Sequence, residues 1–229
     1  MRSIAAALRD AQHHLAEVAR VDLAPLFADE ELLVRLALRL LTLARQGVPA
    51  ERPLPHFSGE CTPSLAEAFA PFAPALAAWH EQPDAPTVPL LLAQPLTADR
   101  ALLLLGQRRT PASLADARAF PPLREKLLGS ALAPYSPGDR ISVAGRALAK
   151  HAPRSSGTYW GTITGSADEK NAAARQHLVR ILDEATWWNV FGHYKHDTVF
   201  ESRGPTGHGA RWGHQGAEFI GFLEPFVEE

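Results

Sequence analysis

The sequence holds a single cysteine, Cys61, among its 229 residues. One thiol excludes an internal disulfide framework and a multi-thiolate zinc site, so nothing in the chain depends on an oxidising compartment. An excess of charge of one sign is also missing: 23 Lys and Arg against 25 Asp and Glu leave a formal net charge of -2. The chain lacks the strongly basic signature of a protein that coats nucleic acid through many phosphates, so any RNA contact has to be local, made by a few cations in a cleft. Long apolar runs are absent too. The leucine-rich stretches near Leu32–Leu43 and Leu90–Leu105 are too short or too charged to cross a bilayer, and no membrane span is expected. The N-terminus, MRSIAAALRDAQHHLAEVAR, carries charges throughout rather than a basic patch followed by an apolar run, so no cleavable signal peptide is expected.

An apolar fraction of 46% is enough for a real core, and the length suits one large domain or two small ones. Residues 1–130 are rich in Ala, Leu and Pro and, apart from His13, His14, His56 and His80, poor in residues that do chemistry. All three tyrosines, four of the five tryptophans and six of the ten histidines lie beyond them. AFPPLREKLLGSALAPYSPGD supplies Pro and Gly punctuation between the two territories. The first territory reads as helical, with amphipathic segments from Ile4 to Val18 and from Asp29 to Arg45. Residues Val88 to Gly106 fit either a strand–turn–strand or a helical assignment, because short apolar runs do not separate the two.

The second territory has clearer signals. Ser142 can cap a helix over 143–152 that Pro153 prevents from continuing. SADE at 166–169 is a capping box for a second helix, with Ala174, Leu178, Ile181 and Leu182 on its core face. WWNVFGHYKH, DTVFESR, GARW and EFIGFLEPF then alternate with the turn segments 203–209 and 213–217, which predicts an antiparallel meander. The expected architecture is α+β: a mostly helical region over 1–130, then a small domain over 138–229 with two helices packed on a four-stranded antiparallel sheet.

The ordered phrases GRALAKH (145–151), Arg154, the Asn171 helix with RQHLVRIL (175–182), GARW (209–212) and FIGFLEP (219–225) resemble the C-terminal ribonuclease domains of bacterial polymorphic toxins. The resemblance spans about residues 138–226. It implies a fold of the barnase, EndoU, colicin and RelE-like kind and metal-independent RNA cleavage, often of tRNA. The cognate immunity protein is an implied partner, and the action is expected in the cytoplasm of a target cell. TYWGTITG (158–165) departs from the family pattern, where a proline-containing stretch after a phenylalanine often stands.

Cleavage of RNA without a metal needs a base for the 2′-hydroxyl proton, a donor for the leaving 5′-oxygen, and cations around the phosphoryl oxygens. His151, Lys150, Arg154 and Arg211 are the candidates, with ordinary surface cations as the alternative reading of Lys150 and Arg154. His151 lies in the last turn of its helix, where the macrodipole favours imidazolium by ~0.3–1 kcal/mol; the plain alternative is a helix-end cap. Arg211 is expected to face opposite Trp212 and to grip phosphate; its alternatives are a solvated surface arginine and an ion pair, for instance with Glu201 or Glu224. Asn171 is either a hydrogen-bonding post or a substrate contact, and Thr162, Thr164 and Tyr159 complete the substrate-binding candidates, with turn chemistry and core packing as their alternatives.

HYKHD (193–197) has ligand-like spacing, but His193 and His196 face opposite sides of a strand and the sequence offers no evident third ligand, so no metal and no cofactor are expected. Either histidine is a reserve source of a second acid–base group. A toxin endoribonuclease is thus the expected function, with RNA, an immunity protein and a delivery or secretion component reached through the N-terminal region as partners. The competing functions are a catalytically inactive antitoxin, immunity or adaptor-like binding protein, and a metal-dependent hydrolase built on HYKHD.

Overall fold

The computed structural model describes residues 3–49, 59–155 and 157–226. The fold class is α+β, helices first and a four-stranded antiparallel sheet last. The chain divides into two compact units, one made of residues 1–52, 61–109 and 115–120, the other of 53–60, 110–114 and 121–229.

The first unit contains α1 (Ile4–Ala11), α2 (Glu17–Asp22), α3 (Ala24–Ala28), α4 (Glu30–Gln46), α5 (Leu65–Phe69), α6 (Ala73–Glu81), α7 (Thr87–Ala93) and α8 (Ala98–Leu104). The helix expected from Ile4 to Val18 is broken: α1 passes into a short 3-10 turn, Gln12–His14, before α2 starts. Leu15 is the last residue of the apolar face to be buried, and Val18 beyond it stays exposed, so no burial offsets the entropy of one long helix. In α4, Asp29 accepts from the N–H groups of Glu31 and Leu32, and Leu32, Leu33, Leu36, Ala37, Leu40 and Leu43 form the buried stripe. Val88 to Gly106 folds as α7 and α8, not as strands. Thr97 caps α8 by accepting from the Arg100 N–H, and Leu102, Leu103 and Leu104 are all buried, which explains why this helix shows no amphipathic period.

The second unit contains α9 (Arg124–Leu132), α10 (Val143–His151), α11 (Ala167–Asp183), β1 (Trp187–His193), β2 (Asp197–Arg203), β3 (Gly209–Gly213) and β4 (Glu218–Leu223). The strands form a meander in the order β1-β2-β3-β4. Helix α9 arises from the segment whose Pro and Gly residues read as punctuation, and it joins the two expected helices: it packs on α10, α11 and β4. Trp212 shows why it stays there. Its fully buried indole donates to the Leu127 carbonyl of α9 at 3.0 Å. The outer edge of β1 is covered by residues 113 and 114, Leu114 N–H donating to the Val190 carbonyl at 2.9 Å, so the exposed ladder of an edge strand is partly satisfied within the unit.

Helices α10 and α11 are locked together at their starts. The Asn171 Oδ1 accepts from the Ser142 N–H at 2.8 Å and the Ser142 hydroxyl at 2.9 Å, while its Nδ2 donates to the Arg140 carbonyl at 2.8 Å. Ser142 in turn caps α10 through the Gly145 N–H, and the capping box of Ser166 and Glu169 starts α11. Asn171 therefore serves as a hydrogen-bonding post. Asn171→Ala is expected to destabilise the protein by roughly 1–3 kcal/mol, the cost of orphaning buried polar partners, measured by chemical denaturation; an unchanged midpoint would show that the post carries no load.

Candidate active site

The C-terminus of α10, the chain leaving β4 and the β2–β3 connection meet at one end of the sheet. The register fixes this: Arg203 of β2 pairs with Gly209 of β3, and Gly209 with Leu223 of β4, so His208 and Glu224, one residue outside each strand, become neighbours. His151 reaches the same point from the last turn of α10.

Glu224 is the hub. Its Oε1 lies 2.7 Å from His151 Nε2 and accepts from Trp160 Nε1 at 2.7 Å, and its Oε2 lies 3.5 Å from His208 Nε2. Burial pushes the Glu224 carboxyl up, but hydrogen bonds from Trp160, Ser155 and His151 outweigh it and hold the group below the usual carboxylate range. It stays ionised and fixes the orientation of His151. The contact with Glu224 engages Nε2 of the His151 ring.

His208 is in a different state. Burial lowers its pKa and Arg180, Arg203 and His151 add to that, against the pull of Glu224, so the ring is neutral near pH 7. Tyr159 stacks on it at 3.8 Å with an interplanar angle of 2°, and the Arg180 guanidinium lies 4.2 Å above the other ring of that stack, Tyr159. His177 of α11 contacts the Trp160 carbonyl at 3.2 Å, and its pKa is lowered by burial and by Arg180.

From Glu224 a continuous polar path crosses to the other face of the sheet. The Arg203 guanidinium donates to the Glu224 and Gly207 carbonyls at 2.7 and 2.6 Å and to Glu201 Oε1 at 2.6 Å. Glu201 Oε2 then receives Arg211 Nη2 at 2.6 Å and Nε at 2.9 Å. Glu201 and Arg203 are buried, whereas the Arg211 side chain is 31% exposed. Gly209 of the GARW phrase has a steric task here: a Cβ would sit 2.3 Å from the Ser202 carbonyl oxygen and 2.7 Å from Arg203 Cγ. Asn189, registered opposite Glu201, is buried; its Oδ1 accepts from the Val190 N–H, and its Nδ2 has no partner among the described residues.

The structure thus brings His151, Tyr159 and Arg211 onto one connected network. Arg211 faces opposite Trp212, and it is paired with Glu201, one of the two carboxylates weighed for it. Lys150 and Arg154 flank His151 as exposed side chains outside the network; Thr162 and Thr164 are exposed in the loop that precedes α11, and Asn171 is engaged at the far end of α10. Glu224, His208, His177, Arg180 and Arg203 are further members not singled out as site residues by sequence. The signal for His208 and Glu224 was the strand register, which places both at the same end of a meander.

The reserve cluster behaves differently from its reading as a strand. His193 ends β1, Tyr194 to His196 form the turn, and His196 meets His214 and Glu218: one ligand-type atom from each of these three lies within 4.8 Å of the others. His193 is outside that trio, and its pKa is lowered by desolvation and by His196, Arg211 and Lys195.

Two outcomes follow from this geometry. Arg203→Ala strips a buried carboxylate and two carbonyls of their partner and is expected to cost about 3–5 kcal/mol, seen as a lowered denaturation midpoint. The pH dependence of stability has a defined sign. His177 and His208 have pKa values below the ordinary 6.5, so below pH 6.5 the unfolded chain takes up protons first and stability falls with acidification; Glu224, held below 4.5, adds a further loss as pH falls through its folded value. Thermal melts from about pH 8 down to about pH 2, spanning the imidazole and carboxylate ranges, should show both losses, and His177→Gln with His208→Gln should flatten the upper one.

Residues 131–224 match the family model of the CdiA C-terminal tRNase toxin domain. Among solved structures, the toxic C-terminal tip of CdiA from Pseudomonas aeruginosa, determined in complex with an immune protein, is 33% identical over 42% of this chain and 98% of that one, with a TM-score of 0.35. No curated protein matches the chain. The similarity to the CdiA C-terminal tRNase toxin domain family thus lies in residues 131–224, the segment that carries the helices and the sheet of the site.

Proposed function

We propose that the protein is an antibacterial toxin whose C-terminal domain, residues 138–229, cleaves tRNA by metal-independent acid–base catalysis. The family match over residues 131–224 supports a toxin nuclease acting on tRNA. The observation that carries the mechanism is one ionised carboxylate, Glu224, between two imidazoles, His151 and His208. Neutral His208 suits removal of the 2′-hydroxyl proton. His151, oriented by Glu224 and placed at a helix C-terminus, suits protonation of the leaving 5′-oxygen. Arg211 spends Nε and Nη2 on Glu201 and keeps Nη1 for a phosphate oxygen. Lys150 and Arg154, exposed beside His151, supply further positive charge along the RNA backbone, with Thr162 and Thr164 at the approach.

The toxin tip from Pseudomonas aeruginosa was determined with an immune protein; by analogy a cognate immunity protein is the partner that restrains this domain, in a cell where its substrate is the tRNA of the cytoplasm. Residues 1–130 then serve delivery through a secretion component, docking or restraint. Among the described residues no helix is long and apolar enough to cross a membrane.

Purified protein incubated with total tRNA in excess EDTA should yield discrete fragments. His151→Ala and His208→Ala should each slow cleavage by roughly 10²–10⁴-fold, the usual weight of a general acid or base, while circular dichroism spectra remain those of the parent. Intact tRNA at high protein concentration both in EDTA and with divalent metal restored would sink the nuclease reading and leave a binding protein, whereas cleavage only with metal would sink metal independence. Full activity in both histidine variants would sink the assigned mechanism.

A further inference from the structure

We propose that His196, His214 and Glu218 form a site for a zinc-class divalent cation that clamps the β1–β2 turn to the β3–β4 connection. The trio lies at the opposite end of the sheet from Glu224. Strand β2 runs from Asp197 beside the trio to Arg203 in the catalytic network, six steps of about 3.3 Å, or ~20 Å. The clamp is therefore separate from the RNA-cleaving residues.

The donor set and spacing suit such a cation. Two imidazoles and one carboxylate are common zinc ligands, and three protein ligands leave the fourth position to water. His196 Nδ1 lies 2.8 Å from Glu218 Oε2, and His214 Nε2 lies 3.4 Å from the same oxygen. Ligands about 2.0–2.1 Å from a tetrahedral zinc are ~3.3 Å apart, so small side-chain movements open the trio around an ion. The His196 side chain is only 19% exposed, against about half for the other two, which gives the site a half-buried base and an accessible mouth.

The backbone is built around this arrangement. Gly213 leaves the space that the His196 ring fills: a Cβ there would sit 2.9 Å from both His196 Cβ and Nδ1. His214 N–H donates to the His196 carbonyl at 3.2 Å, tying the two connections before any ion is considered. Gly213 pairs with Glu218 across β3 and β4, which brings the carboxylate alongside. Among the described residues the three non-glycine residues with positive φ are Asp197, His214 and Gln215, at 57°, 49° and 52°, all at this end of the sheet. Such conformations are costly and gather at functional sites. A cation bound by residues 196 and 218 would close the loops between them and repay part of that cost.

The full chain, freed of metal by chelator dialysis, should bind one equivalent of Zn²⁺ in competition with a chromophoric indicator, and its melting temperature should rise on loading. His214→Ala and Glu218→Gln should each weaken binding by at least roughly tenfold and abolish the rise, while melting in chelator stays close to that of the parent. His14→Ala, outside the cluster, should bind as the parent does. Cleavage of tRNA in EDTA should be unchanged in His214→Ala, so failure of the clamp and failure of the nuclease reading give different results. Absence of stoichiometric binding, or binding indifferent to both cluster variants, would overturn the proposal.

Discussion

The buried Arg203 guanidinium is the constraint on which the C-terminal unit depends. Removing a cation from water costs several kcal/mol, and only close, well-directed partners offset this. Arg203 has among its partners the Glu201 carboxylate, the Gly207 carbonyl in the β2–β3 turn and the Glu224 carbonyl beyond β4. Each partner belongs to a different segment, so satisfying one charge fixes all of them. The turn that carries His208 and the chain that carries Glu224 are held by the same side chain that orients Glu201 toward Arg211. Stability and site geometry share one buried group here.

A second consequence concerns protonation. Glu224 keeps its charge because three donors outweigh its burial, whereas His208 and His177 lose theirs because burial and nearby guanidinium groups act in the same direction. An ionised acid, Glu224, and a neutral imidazole, His208, thus stand 3.5 Å apart. Acid–base chemistry near neutral pH needs such a separation of protonation states among close neighbours. It arises from where each side chain sits rather than from the residue types alone.

Helices α10 and α11 were legible because their signals are local. Ser142, the SADE box and the Ala174–Leu178–Ile181 face need only near neighbours in sequence. The four strands were legible from β-forming stretches divided by turns. Helix α9 was not, because the prolines and glycines around it look like linker and its reason for packing, the Leu127 carbonyl under Trp212, is 85 residues away in sequence. The site divides in the same way. His151 stood out on its helix end, and Arg211 could be assigned a face by strand alternation, but its partner depended on the pairing of β2 with β3. Glu224, His208 and Arg203 acquire roles only once the register brings three segments together. His196 was misleading for the opposite reason: a strand assignment separated it from His193 and concealed the turn that points it at His214 and Glu218.

The near-zero net charge gains a structural counterpart in this arrangement. Around the network the cations are few and most are already engaged: Arg203 is buried, Arg180 lies on Tyr159, and Arg211 shares Glu201. A surface of that kind gives little of the long-range, salt-sensitive attraction that dominates non-specific nucleic-acid binding. On the proposed reading, recognition comes from short-range fit, with Arg211, Lys150 and Arg154 as the phosphate contacts it puts forward. A nuclease that grips its substrate in this way gains affinity only when the RNA backbone follows the path set by the protein. That favours a folded RNA of fixed shape over an arbitrary single strand. The tRNA assigned by the family is a substrate of that kind, and it joins the weak overall charge, the buried guanidinium and the family match in one physical account.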